Sequence, residues 1–256
     1  MFDKNIYRFS KGRHLHELLV DGRWQALTGI TTVLGIIAKP FLIQWSANEA
    51  VDYIDKALNE QLESQPIETD LLLWLHDHWK EITKEAKIAH RKKKEKAGEQ
   101  GTDIHAIIEK IIKEAIEKND GVIKNVLHEV PQVQRFLEWV VNNNVRFIAS
   151  ELHLYSREHF LGGVVDGVVE IDGEKWIMDT KTGGVYAEAF FQMAGYQLMI
   201  EELGLYQDIK GHIILGLLKT GEFVEKRSIS NEDNKKAFLS ALSLYRIKNK
   251  VDGNLI

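Results

Sequence analysis

The sequence predicts an α/β (α+β) protein, with a mixed central sheet flanked by helices and a helical N-terminal elaboration. Apolar residues in the first half recur at helical spacing, most clearly in "DIHAIIEKIIKEAIEK". In the second half they alternate or run in short β-branched stretches, as in "GGVVDGVVEIDGEKWIMDTKTGG". Helical stretches separate these strands, which is the order expected of a sheet covered by helices.

Taken in order, residues 14–24 read as a short hairpin around Asp21-Gly22, and "PFLIQWSANEAVDYIDKAL" as a helix with Pro40 in its first turn. A polar break, "ESQPIETD", precedes a long helical pattern through "LLLWLHDHWKEITKEAKIAHRKKKEKAG", with Trp74 and Trp79 expected in a core. Gly98 and Gly101 then bracket a predicted turn, and Thr102 is placed to cap the next helix, which Asn119-Asp120-Gly121 ends. A helix follows at about 131–143, then strands at about 146–156, 160–171 and 174–181. A helix at about 186–203, strands at about 210–219 and 222–229 around Thr220-Gly221, and a helix at about 231–248 complete the chain. The division this implies is a mostly helical part, 1–97, and a core, 98–256.

The chain of 256 residues contains no cysteine, which excludes disulfides, thiolate metal sites, cysteine nucleophiles and Cys-ligated iron–sulfur clusters. Its first residues have no apolar signal region, and no run approaches the roughly 20 apolar residues of a membrane span. The expectation is a soluble, cytoplasmic protein without a membrane partner. A net charge of −5 does not decide for or against nucleic acid, because a basic patch can sit on an acidic protein.

The hairpin around Asp172-Gly173 raises a chemical question. A two-residue type I′ turn sets Val168 opposite Ile177 and Asp166 opposite Asp179. Period-two alternation adds Lys181 to the face of Asp179. Two like charges set opposite each other among aliphatic neighbours are destabilising without a partner. A divalent cation such as Mg2+ would bridge them, one acid could be protonated, or the face could be solvated. On the helix before the sheet, Ile104, Ile107, Ile108 and Ile111 form the apolar stripe. His105 lies at its border with Glu109 one turn on, either as a structural histidine or as a metal ligand. Glu151 stands in an apolar strand, and Gln192 and Tyr196 share one face of a helix. The basic run Arg91, Lys92, Lys93 and Lys94 is either a solvated helix face or a phosphate-tracking surface.

Four of these stretches occur in an order that resembles the RecB-like branch of the PD-(D/E)XK nuclease superfamily: "GTDIHAIIE", "GVVD", "DTK" and "QMAGY". Their motifs are GxxxHxxxE (here with a Gly-to-His step shorter than the pattern), GxxD, (D/E)xK and QxxxY, covering about residues 98–203. A looser likeness in the N-terminal "GITTVLG" and the helices after it extends to mitochondrial genome-maintenance exonucleases and phage nucleases. The resemblance implies a restriction-endonuclease-like core and a Mg2+- or Mn2+-dependent deoxyribonuclease. It would be an exonuclease on single-stranded or frayed DNA ends, serving replication, recombination or repair. Alternatives are a structure-specific endonuclease and a catalytically inactive DNA-binding module. The resemblance further implies that His105, Asp166, Asp179 and the backbone carbonyl of Thr180 hold the metal. Lys181 would act on water and phosphate, Gln192 and Tyr196 would shape the site and contact DNA, and Glu109 and Glu151 would support it. Without cysteines the chain cannot carry the iron–sulfur cluster of some relatives. The helical first part is expected to form an arch that guides a single strand.

Overall fold

The computed structural model describes residues 5–37, 39–64, 68–124, 127–218 and 222–253. Strand-forming residues between tight turns build two sheets. Strands β1 (Tyr7–Ser10), β2 (Leu15–Val20) and β3 (Arg23–Ala26) form an antiparallel sheet of three. Strands β4 (Thr28–Gly29), β5 (Arg146–Ser156), β6 (Leu161–Ile171), β7 (Glu174–Lys181), β8 (Ile209–Leu217) and β9 (Phe223–Ser228) form a mixed sheet of six. The β6–β7 turn has Asp172 and Gly173 both left-handed, at φ 53° and 79°, as a type I′ turn requires. The expected register follows, with Val168 opposite Ile177 and Ile171 opposite Glu174. Strands β7 and β8 are parallel and need a crossover, which helix α5 (Ala187–Glu202) supplies.

Helices cover both faces of the large sheet. Against one face, Ile104, Ile108 and Ile112 of helix α3 (Glu68–Asn119) and Phe136 and Leu137 of α4 (Pro131–Asn142) pack on Val169, Met178, Ile213 and Leu215. Against the other, α1 (Ile30–Leu34), α5 and α6 (Asn231–Asp252) pack on Val168, Ile177 and Ile214. Alternate residues of each strand thus enter separate cores, as pleating dictates.

The structure departs from the sequence reading at several points. Helix α3 runs unbroken through Gly98 and Gly101, where the sequence suggests a turn and a cap at Thr102. A helix-interior glycine costs only about 1 kcal/mol relative to alanine, and Ile104 and Ile108 beyond it are buried. The chain divides not at residue 97 but into Met1–Ile37 with Asp103–Ile256, and Ala38–Thr102. The first 37 residues join the core because β4 pairs with β6 and because Ile30 and Val33 pack inside it. Trp79 is 46% exposed rather than in a core, and Trp74 is half-buried and stacks on His78 at 4.8 Å. Strand β1, absent from the sequence reading, pairs with β2 from Tyr7↔Leu18 to Ser10↔Leu15. The turn expected at Thr220-Gly221 lies outside the described residues.

The unit Ala38–Thr102 contains α2 (Pro40–Ser64) and the first part of α3. Helix α2 buries none of its residues, and Lys93 of α3 pairs with Glu49 of α2. Among the described residues no helix is long and apolar enough to cross a membrane.

One buried polar chain links three elements of the core. His212 on β8 is fully buried and its Nε2 donates to Oε1 of Gln197 at 2.8 Å. Gln197 Nε2 donates to Glu201 Oε1, which also accepts from Lys235 of α6, both at 2.8 Å. Burial, with the Lys235 charge adding to it, pushes the His212 pKa down to about 4. Burial and the neighbouring His14 and His153 do the same to His16, also to about 4.

A folded-state pKa below the ordinary 6.5 means that the unfolded chain binds more protons between those values. The stability contributed is therefore complete above about pH 6.5 and is lost as pH falls toward 4, on the order of 3 kcal/mol for each histidine. His212→Gln should make the fall in unfolding free energy over that window shallower by about half, as read by urea denaturation at a series of pH values.

Candidate active site at a strand fork

Strands β6 and β7 pair only as far as Gly167↔Met178. Beyond that point β7 continues along β8 to Lys181↔Gly216, while the start of β6 turns to β4 at Thr28↔Leu161 and Gly29↔Gly162. The two strands therefore part at Asp166 and Asp179. At the fork the ladder is replaced by side-chain bonds. The Thr180 backbone N–H donates to Oδ2 of Asp166 at 2.9 Å, and the Thr180 hydroxyl donates to the same oxygen at 2.7 Å.

His105 completes this group from α3. Its Nδ1 lies 3.0 Å from Thr180 Oγ1 and 3.4 Å from Asp166 Oδ2. Because the threonine proton goes to Asp166, its oxygen accepts from an Nδ1–H, and the neutral ring keeps its lone pair on Nε2. Pleating turns Asp179 and Lys181 to the opposite face of the sheet from Thr180. There Lys181 Nζ makes an ion pair with Oδ2 of Asp179 and donates to Oε1 of Gln192 on α5 at 3.2 Å. Gln192 Nε2 in turn donates to the Tyr196 hydroxyl at 2.8 Å. The fork thus gathers His105 from one helical layer and Gln192 from the other.

The charges are unequal. Asp179 is 3% exposed, and its Oδ2 has no hydrogen bond to a described residue besides the Lys181 ion pair. Burial pushes its carboxyl up to about 6, against the opposing pull of Lys181. Burial also raises Asp166, but hydrogen bonding and charge from His105, with Lys181 and the Thr180 amide, outweigh it and hold the carboxyl below its ordinary value. Burial lowers Lys181, yet Asp179 outweighs it and keeps the ammonium protonated. Burial lowers His105 as well, and Asp166 outweighs it in turn. The expected head-on clash of the two acids is therefore softened: each carboxylate is turned into a cationic or proton-donating partner. Asp166 still adds to the upward shift of Asp179.

The remaining expected residues divide. Glu151 is level with Asp166, between the pairs Ser150↔Gly167 and Leu152↔Val165, so Glu151, Asp166 and Asp179 stand in a row across β5, β6 and β7. It has a left-handed backbone, φ 48°, in mid-strand, and burial, Glu109 and Asp166 raise its pKa. Glu109 is ion-paired with Lys113. Tyr196 is 4% exposed and anchors Gln192 through its hydroxyl. Its ring leaves room for nothing larger than glycine at Gly163, where a Cβ would stand 2.5 Å from Tyr196 Cε1. The GxxD glycine is thus the seat of the QxxxY tyrosine. Arg91, Lys92 and Lys93 are paired with Glu95, Glu85 and Glu49, which leaves only Lys94 of that run without an ion pair to a described residue.

Sequence reasoning missed the Thr180 side chain, assigning only its carbonyl; alternation, which turns Thr180 toward the His105 layer, was the available signal. Two carboxylates, an imidazole and a carbonyl are the hard-leaning donor set that Mg2+ or Mn2+ takes. The buried Asp179 oxygen, held by one ammonium alone, fits such an ion. Among the described residues, no three His, Asp or Glu side chains are gathered closely enough to hold one as they stand. No protein-family model matches the chain, and no curated protein resembles it at a significant level.

Gly163→Ala should destabilise the protein by about 1–3 kcal/mol, because the added methyl displaces a buried ring. Tyr196→Phe should cost about 1 kcal/mol by leaving the Gln192 amide without its acceptor. Chemical denaturation of the two variants measures both, and a Gly163→Ala variant as stable as the parent would contradict the packing.

Proposed function

We propose that this chain is a metal-dependent DNA nuclease with a RecB-like PD-(D/E)XK site on a restriction-endonuclease-like core. The observation that supports this most is the convergence of Asp166, Asp179 and Lys181 at the β6–β7 fork, with His105 held to Asp166 through Thr180. Asp166, Asp179, His105 and the Thr180 carbonyl would hold Mg2+ or Mn2+. Such an ion supplies a nucleophilic water near neutral pH and neutralises charge on a phosphoryl oxygen.

The protein's own groups account for the rest. Lys181 stays an ammonium, so it stabilises charge developing on the phosphate rather than abstracting a proton. Gln192, fixed by Tyr196, accepts one of the Lys181 hydrogens and so sets the direction of the ammonium. The Thr180 hydroxyl fixes the His105 tautomer that leaves Nε2 free to coordinate. By resemblance the substrate is a single-stranded or frayed DNA end, and the action is that of an exonuclease in replication, recombination or repair.

Asp179→Asn should lower cleavage of labelled linear single-stranded DNA by about 100-fold or more, since it removes a charged ligand while keeping the shape. Lys181→Ala should lose cleavage to a similar degree yet still show the rise in melting temperature that Mn2+ gives the parent protein. Closed single-stranded circles should survive. Wild-type levels of cleavage by the Asp179 variant would reject the site, and efficient cutting of circles would make the enzyme an endonuclease.

A further inference from the structure

If the fork cleaves DNA, the incoming strand must be held by cations outside it, and the obvious run is already committed. Arg91, Lys92 and Lys93 are each ion-paired with a glutamate. Beside the site, Lys113 is ion-paired with Glu109. The 3-10 turn Lys11–Arg13 between β1 and β2 differs: Lys11, Arg13 and the following His14 are exposed, and neither Lys11 nor Arg13 has an ion pair with a described residue.

This turn is fixed against the β5 end of the carboxylate row. The Phe9 ring stacks on His16 at 4.5 Å, meets His14 edge-on at 5.6 Å and lies 5.1 Å from the ring of His153, two residues beyond Glu151. Tyr7 stacks on Tyr155 at 5.1 Å, so β1 is held to β5 at a second point. Below the turn, His16 packs so closely on β6 that a Cβ at Gly162 would stand 2.5 Å from His16 Cβ. The backbone N–H of His14, left-handed at φ 50°, closes the turn by donating to the Lys11 carbonyl at 3.3 Å. Lys11 is near enough that its charge acts on both Glu151 and His153.

We propose that the Lys11–His14 turn is a phosphate-binding lip that holds the backbone of single-stranded DNA on the Glu151 side of the fork. Lys181 lies at the far end of the same row, so a strand gripped at Lys11 and Arg13 crosses Glu151, Asp166 and Asp179 in turn. The row is strongly acidic, and a polyanion would otherwise be repelled from it. Lys11 at its open end and Arg13 in the same turn, neither ion-paired with a described residue, would offset that repulsion where the strand enters. The turn reads no base, so binding through it is independent of sequence and sensitive to salt.

The test is the binding of a short 5′-fluorescein oligothymidylate to the full chain in EDTA, followed by anisotropy across a salt titration. Replacing both Lys11→Ala and Arg13→Ala should weaken binding by about 5- to 20-fold at moderate salt. It should also reduce the slope of log K against log salt by about 1.4, roughly 0.7 for each phosphate contact on a single strand. The charge-keeping pair Lys11→Arg and Arg13→Lys should bind like the parent. Failure of the parent to bind the oligonucleotide, an unchanged constant and slope in the alanine variant, or equal loss in the charge-keeping variant would each overturn the lip. The two readings fail separately. Normal binding with the expected alanine effect, but no cleavage in Mg2+ or Mn2+, rejects the nuclease and keeps the lip. Cleavage with binding indifferent to Lys11 and Arg13 rejects the lip alone.

Discussion

The parting of β6 from β7 after Gly167↔Met178 is the constraint on which the site depends. Inside a sheet, a backbone N–H finds its acceptor on the next strand, and a buried one left without an acceptor costs about 1–3 kcal/mol. At the fork the Thr180 N–H has no strand to turn to, and the Asp166 carboxylate takes the place of the missing carbonyl. One polar side chain in an apolar strand is thereby made a structural necessity. Because β6 is drawn away by β4, which the chain supplies from residues 28–29, the N-terminal segment helps create the fork.

The fork also explains how residues of opposite pleat act together. Asp179 and Lys181 face the α5 layer, and Thr180 faces α3, so an intact sheet would keep Lys181 and His105 apart. Asp166, at the open edge, bonds Thr180 and His105 while its charge still reaches Asp179 and Lys181. The result is two linked pairs, His105 with Asp166 and Lys181 with Asp179, whose acids stand next to each other. Each member is shifted in the direction its neighbours dictate: Asp166 down, Lys181 and His105 up, and Asp179 up because burial outweighs its single cation. A carboxyl left poorly compensated in this way is suited to gain from a further positive charge.

Much of this was legible in the sequence, for reasons that differ from element to element. The Asp172-Gly173 turn fixed a register by local geometry alone, and the register fixed which acids meet. The border position of His105 followed from helical periodicity, which tertiary packing respected because Ile104, Ile108 and Ile112 are buried beside it. What failed was whatever depended on distant partners. Gly98 and Gly101 look like a break until the helix after them is known to be anchored. Strand β1 is four residues whose pairing is decided by β2, and its Tyr7 and Phe9 gain meaning only beside His16, Tyr155 and His153. The basic run looked available because its glutamate partners, Glu49 above all, are remote in sequence or hidden in the same helix. How deeply Tyr196 is buried was not legible, because its seat is a glycine more than 30 residues away, at Gly163.

The distribution of strain follows the same line. Glu151 has a left-handed backbone in the middle of a strand, a conformation costing on the order of 1–3 kcal/mol for such a residue, and it is also half-buried beside two other acids. Asp179 is buried, and its Oδ2 has one cation and no other hydrogen bond to a described residue. Neither feature helps the fold. Both are tolerated because the rows on either side, Val165, Val168, Val169, Ile177 and Met178, are fully buried and bind the strands into two cores. A sheet that needed only stability would put aliphatic residues at 151 and 179, as it does at the neighbouring positions, and would keep at 166 only the one acceptor that Thr180 requires. Three acids in one row across three strands, one on strained backbone and one undercompensated, therefore mark where the sequence has been held away from its most stable choice.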